Sequence, residues 1–123
     1  MEKTQYFYRC SIFTRKDGQV ALADIHNPSN TTVLDEWLGT VLSLADGEHT
    51  LLELIEYMKS RYESPPENLE ETLYSVLERL IDGKMVQLSP AKVELPYYLA
   101  SPVEELDIEK AKGLMEKDGY VYH

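Results

Sequence analysis

The chain has 123 residues, enough for one domain with an appendage, and 43% of them are apolar, enough for a modest core. Its 22 acidic residues against 12 basic ones give a net charge of −10, which disfavours polyanions such as duplex DNA and anionic membrane surfaces. The start, MEKTQYFYRC, lacks the apolar run of a secretory signal, no segment approaches the roughly 20 apolar residues that cross a bilayer, and the single Cys10 has no partner for an internal disulfide, so the expectation is a soluble cytoplasmic protein.

Residues 6–14, YFYRCSIFT, are rich in β-branched and aromatic side chains and predict a strand that ends at Lys16-Asp17-Gly18. Asp-Gly between strand-like runs signals a hairpin, completed by QVALADIH at 19–26. Asn27-Pro28-Ser29-Asn30 reads as a turn, and a short third strand follows at 31–34. Then the period changes. Asp35 can cap a helix whose Trp37, Leu38, Val41, Leu42, Leu44 and Ala45 share one broad face, with Gly47 ending it. Gly39 inside that helix either permits close packing or is tolerated at a cost of about 1 kcal/mol. The stretch LADGEHTLLELIEYM, 44–58, thus reads as the middle of a helix-turn-helix. Its second helix opens on a capping box, Thr50-Leu51-Leu52-Glu53, and runs to about Tyr62.

Ser64-Pro65-Pro66-Glu67 reads as another capping box, opening a third helix with the stripe Leu69, Leu73, Val76 and Leu80 and a stop at Asp82-Gly83. Residues 84–88 resemble the wing of a winged helix. Beyond them 91–100 is extended and interrupted by Pro96. Ser101-Pro102-Val103-Glu104 reads as a third capping box, opening an amphipathic helix to about Lys117 that Asp118-Gly119 ends. The predicted class is α+β. It is a winged helix-turn-helix with a three-stranded antiparallel sheet followed by three helices over 1–90, and an appended C-terminal helix in the extension 91–123.

Signals of chemistry are weak. His26, His49 and His123 are far apart and lack metal-ligand spacing. Cys10 lies mid-strand with nothing nearby in sequence to lower its pKa. The six glycines are dispersed and form no phosphate loop. Glu53/Glu56, Glu70-Glu71 and Glu104-Glu105 have the spacing of solvated helix faces. With no nucleophile–base pair to name, the expectation is a protein without catalysis, cofactor or metal.

The third helix offers Glu67, Glu70, Glu71 and Glu78 against one Arg79, which argues against a DNA recognition helix. Tyr74, Leu77 and Ile81 widen its apolar arc to one side only. That shoulder either packs against the appended helix or lines a groove. The sheet also has edges whose unpaired main-chain groups can capture a strand. A groove between the third strand and the shoulder could hold an extended peptide.

The order of elements, with Leu44-Ala45-Asp46-Gly47, Thr50 and Leu54-Ile55 followed by Leu77, Leu80, Gly83 and Val86, resembles the PqqD-like family, also called RiPP recognition elements. The resemblance covers roughly residues 5–90. It implies a non-catalytic module that binds the leader of a ribosomally made precursor peptide and delivers it to a modifying enzyme, often a radical SAM enzyme. The leader would pair with the third strand and lie against the third helix. Carried over, its contacts would be Thr31, Thr32, Val33 and Leu34, with Glu70, Leu73, Tyr74 and Leu77 opposite. An acidic rim favours a basic leader, whereas many leaders of such systems are acidic. The chain departs from the family pattern in its short third strand and in its extension, which is compatible with covering the groove, dimerising the chain or meeting the enzyme. The alternative reading is an acidic winged-helix transcriptional regulator or dimerising adaptor.

Overall fold

In a computed structural model, which describes residues 2–119 and only the backbone of Pro28 and Ser29, the strand expected over 6–14 is two strands. β1 (Tyr6–Arg9) and β2 (Phe13–Lys16) are separated by a break at Cys10-Ser11-Ile12. Burial explains it. A half-buried strand alternates, yet Ser11, Ile12 and Phe13 are all buried, because the chain passes here between two cores. Phe13 packs in the first core and Ile12 in the second.

β2, β3 (Gln19–Asp24) and β4 (Asn27–Val33) form a three-stranded antiparallel meander. The predicted Asp17-Gly18 hairpin joins its first two strands. Lys16 pairs with Gln19, and both turn residues have positive φ, 54° and 77°, which matches the twist of the flanking strands. The third strand starts earlier than expected: Asn27 pairs with Asp24, so the reversal falls at Ile25-His26 and not at 27–30. Ile25 is fully buried in the second core, which fixes the turn there.

β1 joins a second antiparallel sheet with β5 (Asp46–Thr50) and β6 (Val86–Ser89), in the order β5-β1-β6. The wing-like stretch of the sequence is β6. α1 (Glu36–Leu44) starts as predicted, with the Leu38 N–H donating to Asp35 Oδ1 at 2.9 Å. Gly39 lets it press on β3, since a Cβ there would lie 3.1 Å from Val20 Cβ. The helix ends at Leu44, not at Gly47, and Asp46-Gly47 is strand. The φ of +80° at Gly47 serves the neighbouring chain instead: the Val93 N–H donates to Gly47 O at 2.9 Å, and a Cβ on Gly47 would meet Val93 O at 2.3 Å.

α2 (Leu51–Ser60) carries the expected capping box: the Glu53 N–H donates to Thr50 Oγ1 at 3.3 Å and the Thr50 N–H to Glu53 Oε1 at 3.0 Å. It stops at Ser60, short of Tyr62. α3 (Leu69–Asp82) starts after Asn68, so the Ser64 capping box is not formed. Each of the two prolines biases the residue before it away from helical backbone, which delays the helix. α3 packs on α1, α2 and β6.

The extension contains α4 (Tyr97–Ala100), a 3-10 turn (Val103–Glu105) and α5 (Ile108–Asp118). The single helix expected from Pro102 to Lys117 is broken at Leu106-Asp107, both extended. Asp107, rather than Ser101, caps α5 by accepting from the Lys110 N–H at 3.2 Å. Gly119, in the left-handed region, ends it as predicted. Tyr98, Leu99, Val103, Ala111 and Met115 cover Ile12, Ala23 and Ile25 on the outer face of the meander and form the second core. The first core, containing Phe7, Phe13, Leu42, Ile55, Leu73 and Leu80, lies on its other side. No helix among the described residues is long and apolar enough to cross a membrane.

Candidate functional site

Among the described residues β4 has a neighbouring strand on one side only, β3. Its residues Thr31, Thr32 and Val33 are exposed, Val33 by 60%. Period-two alternation sends Thr31 and Val33 to the outer face of the meander and Leu34 into the first core, where it is half-buried. The Leu34 N–H donates to Val20 O at 3.1 Å and so continues the pairing past the strand end. These four residues form one continuous edge.

The other four expected contacts do not face it. Leu73 and Leu77 are fully buried in the first core, so neither side chain lines a surface groove. Tyr74 is half-buried against the same core. Glu70 is engaged on the α2 side, 3.5 Å from Lys3 Nζ and 3.6 Å from Lys59 Nζ. α1 packs on both β3 and α3 and stands between the meander and α3. The wide apolar arc of α3 is therefore taken up by α1, α2 and β6.

A different groove borders β4. Thr14, Lys16, Asp17, Gln19, Ala21, Thr31 and Val33 form its floor on the meander, and Val103, Leu106 and Ile108 of the extension form its wall, around a volume of about 660 Å³. Glu104 ties the wall to the sheet: its carboxylate accepts from the Thr14 hydroxyl at 2.7 Å and the Arg15 N–H at 2.8 Å. Burial alone would push the Glu104 carboxyl up, but these hydrogen bonds and the Arg15 charge outweigh it and hold it below its ordinary range. The sequence hides this wall, because Val103 and Glu104 read there as the first turn of a helix.

Arg9 anchors the extension from inside. It is 3% exposed, and its guanidinium donates to Leu42 O and Ser43 O at the end of α1 and to Leu99 O and Ala100 O at the end of α4, at 2.9–3.2 Å. Helix C-termini are where a cation is favoured. The group also lies 4.4 Å over the Phe13 ring. Burial pushes its pKa down to about 10, opposed by nearby Asp46, so it stays charged at neutral pH. The one sequence signal for this role is a lone arginine inside the apolar run YFYRCSIFT.

His26 is exposed beside the β3–β4 turn, His49 Nδ1 lies 3.0 Å from Asp46 Oδ1, and His123 lies outside the described residues. Among the described residues no three His, Cys, Asp or Glu side chains converge as metal ligands. Burial pushes the Cys10 thiol up, away from thiolate reactivity. Comparison with family models, curated protein sequences and solved structures returned no match.

Proposed function

We propose that the chain is a non-catalytic binding module that captures the leader of a ribosomally made precursor peptide by strand addition to β4 and presents it to a modifying enzyme. The observation that carries this reading is the open β4 edge, with exposed Thr31, Thr32 and Val33, beside a groove about 660 Å³ in volume. Main-chain hydrogen bonds along such an edge supply affinity. The Asp46-Gly47…Thr50 segment and the order of elements, which resemble PqqD-like modules, support the same reading, with α2, α3 and β6 as a winged helix-turn-helix. On this reading a radical SAM enzyme is the partner class and the cytoplasm the place of action. The exposed acidic side chains of α3, Glu71 and Glu78, weigh against the duplex-DNA alternative.

The test is a titration of the isotopically labelled full chain with leader peptides encoded beside its gene. Micromolar binding, with amide shifts concentrated on 27–34, is the expected outcome. Binding that leaves those amides unmoved, or salt-sensitive affinity for duplex DNA in place of peptide, refutes the proposal.

A further inference from the structure

The main-chain polarity of β4 fixes what its edge can accept. The Leu34 N–H donates to Val20 O, and Thr32 stands opposite Leu22. In an antiparallel ladder successive residues alternate between bonding the neighbouring strand and facing away from it. Leu34 and Thr32 therefore bond β3, and Thr31 and Val33 turn their N–H and C=O groups outward. The register shifts between Ala23 and Asp24, whose partners are Thr31 and Asn27, so the regular part of the edge is short and centred on Thr32.

The chain itself blunts two comparable edges. On β2 the Arg15 N–H is taken by the Glu104 carboxylate, and on β5 Gly47 O accepts from the Val93 N–H. On β4 the side chain of Val33 stays exposed. Charge sets this edge apart as well. Residues 25–34 contain no Asp, Glu, Lys or Arg, in a chain of net charge −10. Net repulsion opposes the association of two copies, and along this stretch neither brings a charged side chain of its own.

The edge is also self-complementary. A two-fold axis through Thr32 sets Thr31 opposite Val33 of a second copy, and Val33 opposite Thr31. All of these residues carry outward main-chain groups, so each N–H meets a C=O. Paired residues share a face of a sheet, so Val33 is covered by Thr31 of the second copy. The carboxylate that ends the uncharged stretch, Asp35, falls beside residue 29 of the second copy. The two Asp35 groups thus stand six residues apart along the strands, about 20 Å at about 3.4 Å per residue, well beyond the screening length of about 8 Å at physiological salt.

Going beyond leader capture, we propose that β4 pairs antiparallel with β4 of a second copy about a two-fold axis at Thr32, joining the two meanders into one continuous sheet. A leader and a second copy then compete for the same main-chain groups, and the homodimer is the form that covers the edge when no peptide is bound.

The test is sedimentation equilibrium of the full chain over a dilution series from millimolar to micromolar, with amide shifts of the labelled chain followed in parallel. At the concentrated end the weight-average mass should rise from 14.2 kDa toward twice that value, with concentration-dependent shifts centred on 30–34. Added salt should tighten the association, because it screens two chains of like charge. Thr31→Pro removes an outward donor that β3 does not use, on an edge where proline is tolerated. It should weaken the dimer about 30-fold, the scale of one hydrogen bond lost on each copy. Val33→Glu, a change at an exposed side chain free of any proline strain, should weaken it too by setting like charges on the edge. A chain that stays at 14.2 kDa at millimolar concentration overturns self-pairing and leaves leader capture standing, since capture is read from the peptide titration. A dimer that both substitutions leave intact, or that salt loosens, uses another face and equally overturns the proposal.

Discussion

Replacing Arg9 with methionine tests whether one buried cation holds the extension to the rest of the chain. Methionine keeps much of the apolar stem over Phe13 and removes every donor. Of the four carbonyls that lose their partner, those of Leu42 and Leu99 are in buried hydrogen bonds, and those of Ser43 and Ala100 are partly buried and can turn to water. A buried acceptor left unsatisfied costs about 1–3 kcal/mol. Two of them give roughly 2–6 kcal/mol, and relief from burying the guanidinium offsets part of that. The expected net loss is about 3 kcal/mol. With a urea dependence of about 2 kcal/mol per molar, the midpoint should fall by about 1.5 M, read from the fluorescence of half-buried Trp37. Hydrogen exchange should accelerate first in α4 and α5. Arg9→Lys should fall in between, because a single ammonium cannot fork among four carbonyls. A midpoint within about 0.3 M of the parent, or a loss of stability with unchanged exchange over 97–118, would refute the anchoring role.

Gly47→Ala should destabilise by more than about 2 kcal/mol, since it adds strain at φ +80° to a Cβ placed 2.3 Å from Val93 O; a thermal scan with less than a few degrees of change would contradict this. Thr50→Ala removes one half of the capping box and should cost about 1 kcal/mol, seen as a drop in melting temperature of about 4 °C. The hydrogen bond to Asp46 raises His49 above its ordinary 6.5, aided by the charges of Asp46, Glu53 and Glu48 and opposed by burial. That pairing stabilises the fold fully below 6.5 and is lost as pH rises through the raised value. Proton NMR of the imidazole should show the titration returning toward 6.5 in Asp46→Asn, and an unchanged midpoint would count against the pairing.

The features legible in the sequence were those decided within a few residues. Asp17-Gly18, Asp35, the Thr50–Glu53 pair and Gly119 all act where local chemistry places them. Where a distant segment decides the outcome, the local pattern misleads. The break at 10–12 exists because two cores compete for adjacent side chains, and Asp46-Gly47 is strand because β1 pairs with it. Leu106-Asp107 interrupts a continuous amphipathic pattern, with Leu106 packing against the second core. The same division holds for the site. Thr31, Thr32 and Val33 lie on the last strand of a three-stranded meander, an edge that the order of elements already implies, whereas helical angles give the width of the α3 arc but not which neighbours cover it.

The pairing of β1 also orders events in time. Tyr6 meets Ser89, and Arg9 reaches Ala100, so the first contact waits for residue 89 and the second for residue 100 to leave the ribosome. The meander needs only residues 13–33 and short connections, which makes it the fast, local part of assembly. A nascent chain thus displays β4 well before α5 is made. During that interval the edge is open with no wall beside it, and the proline, asparagines and threonines of its sequence, poor partners for apolar aggregation, guard it.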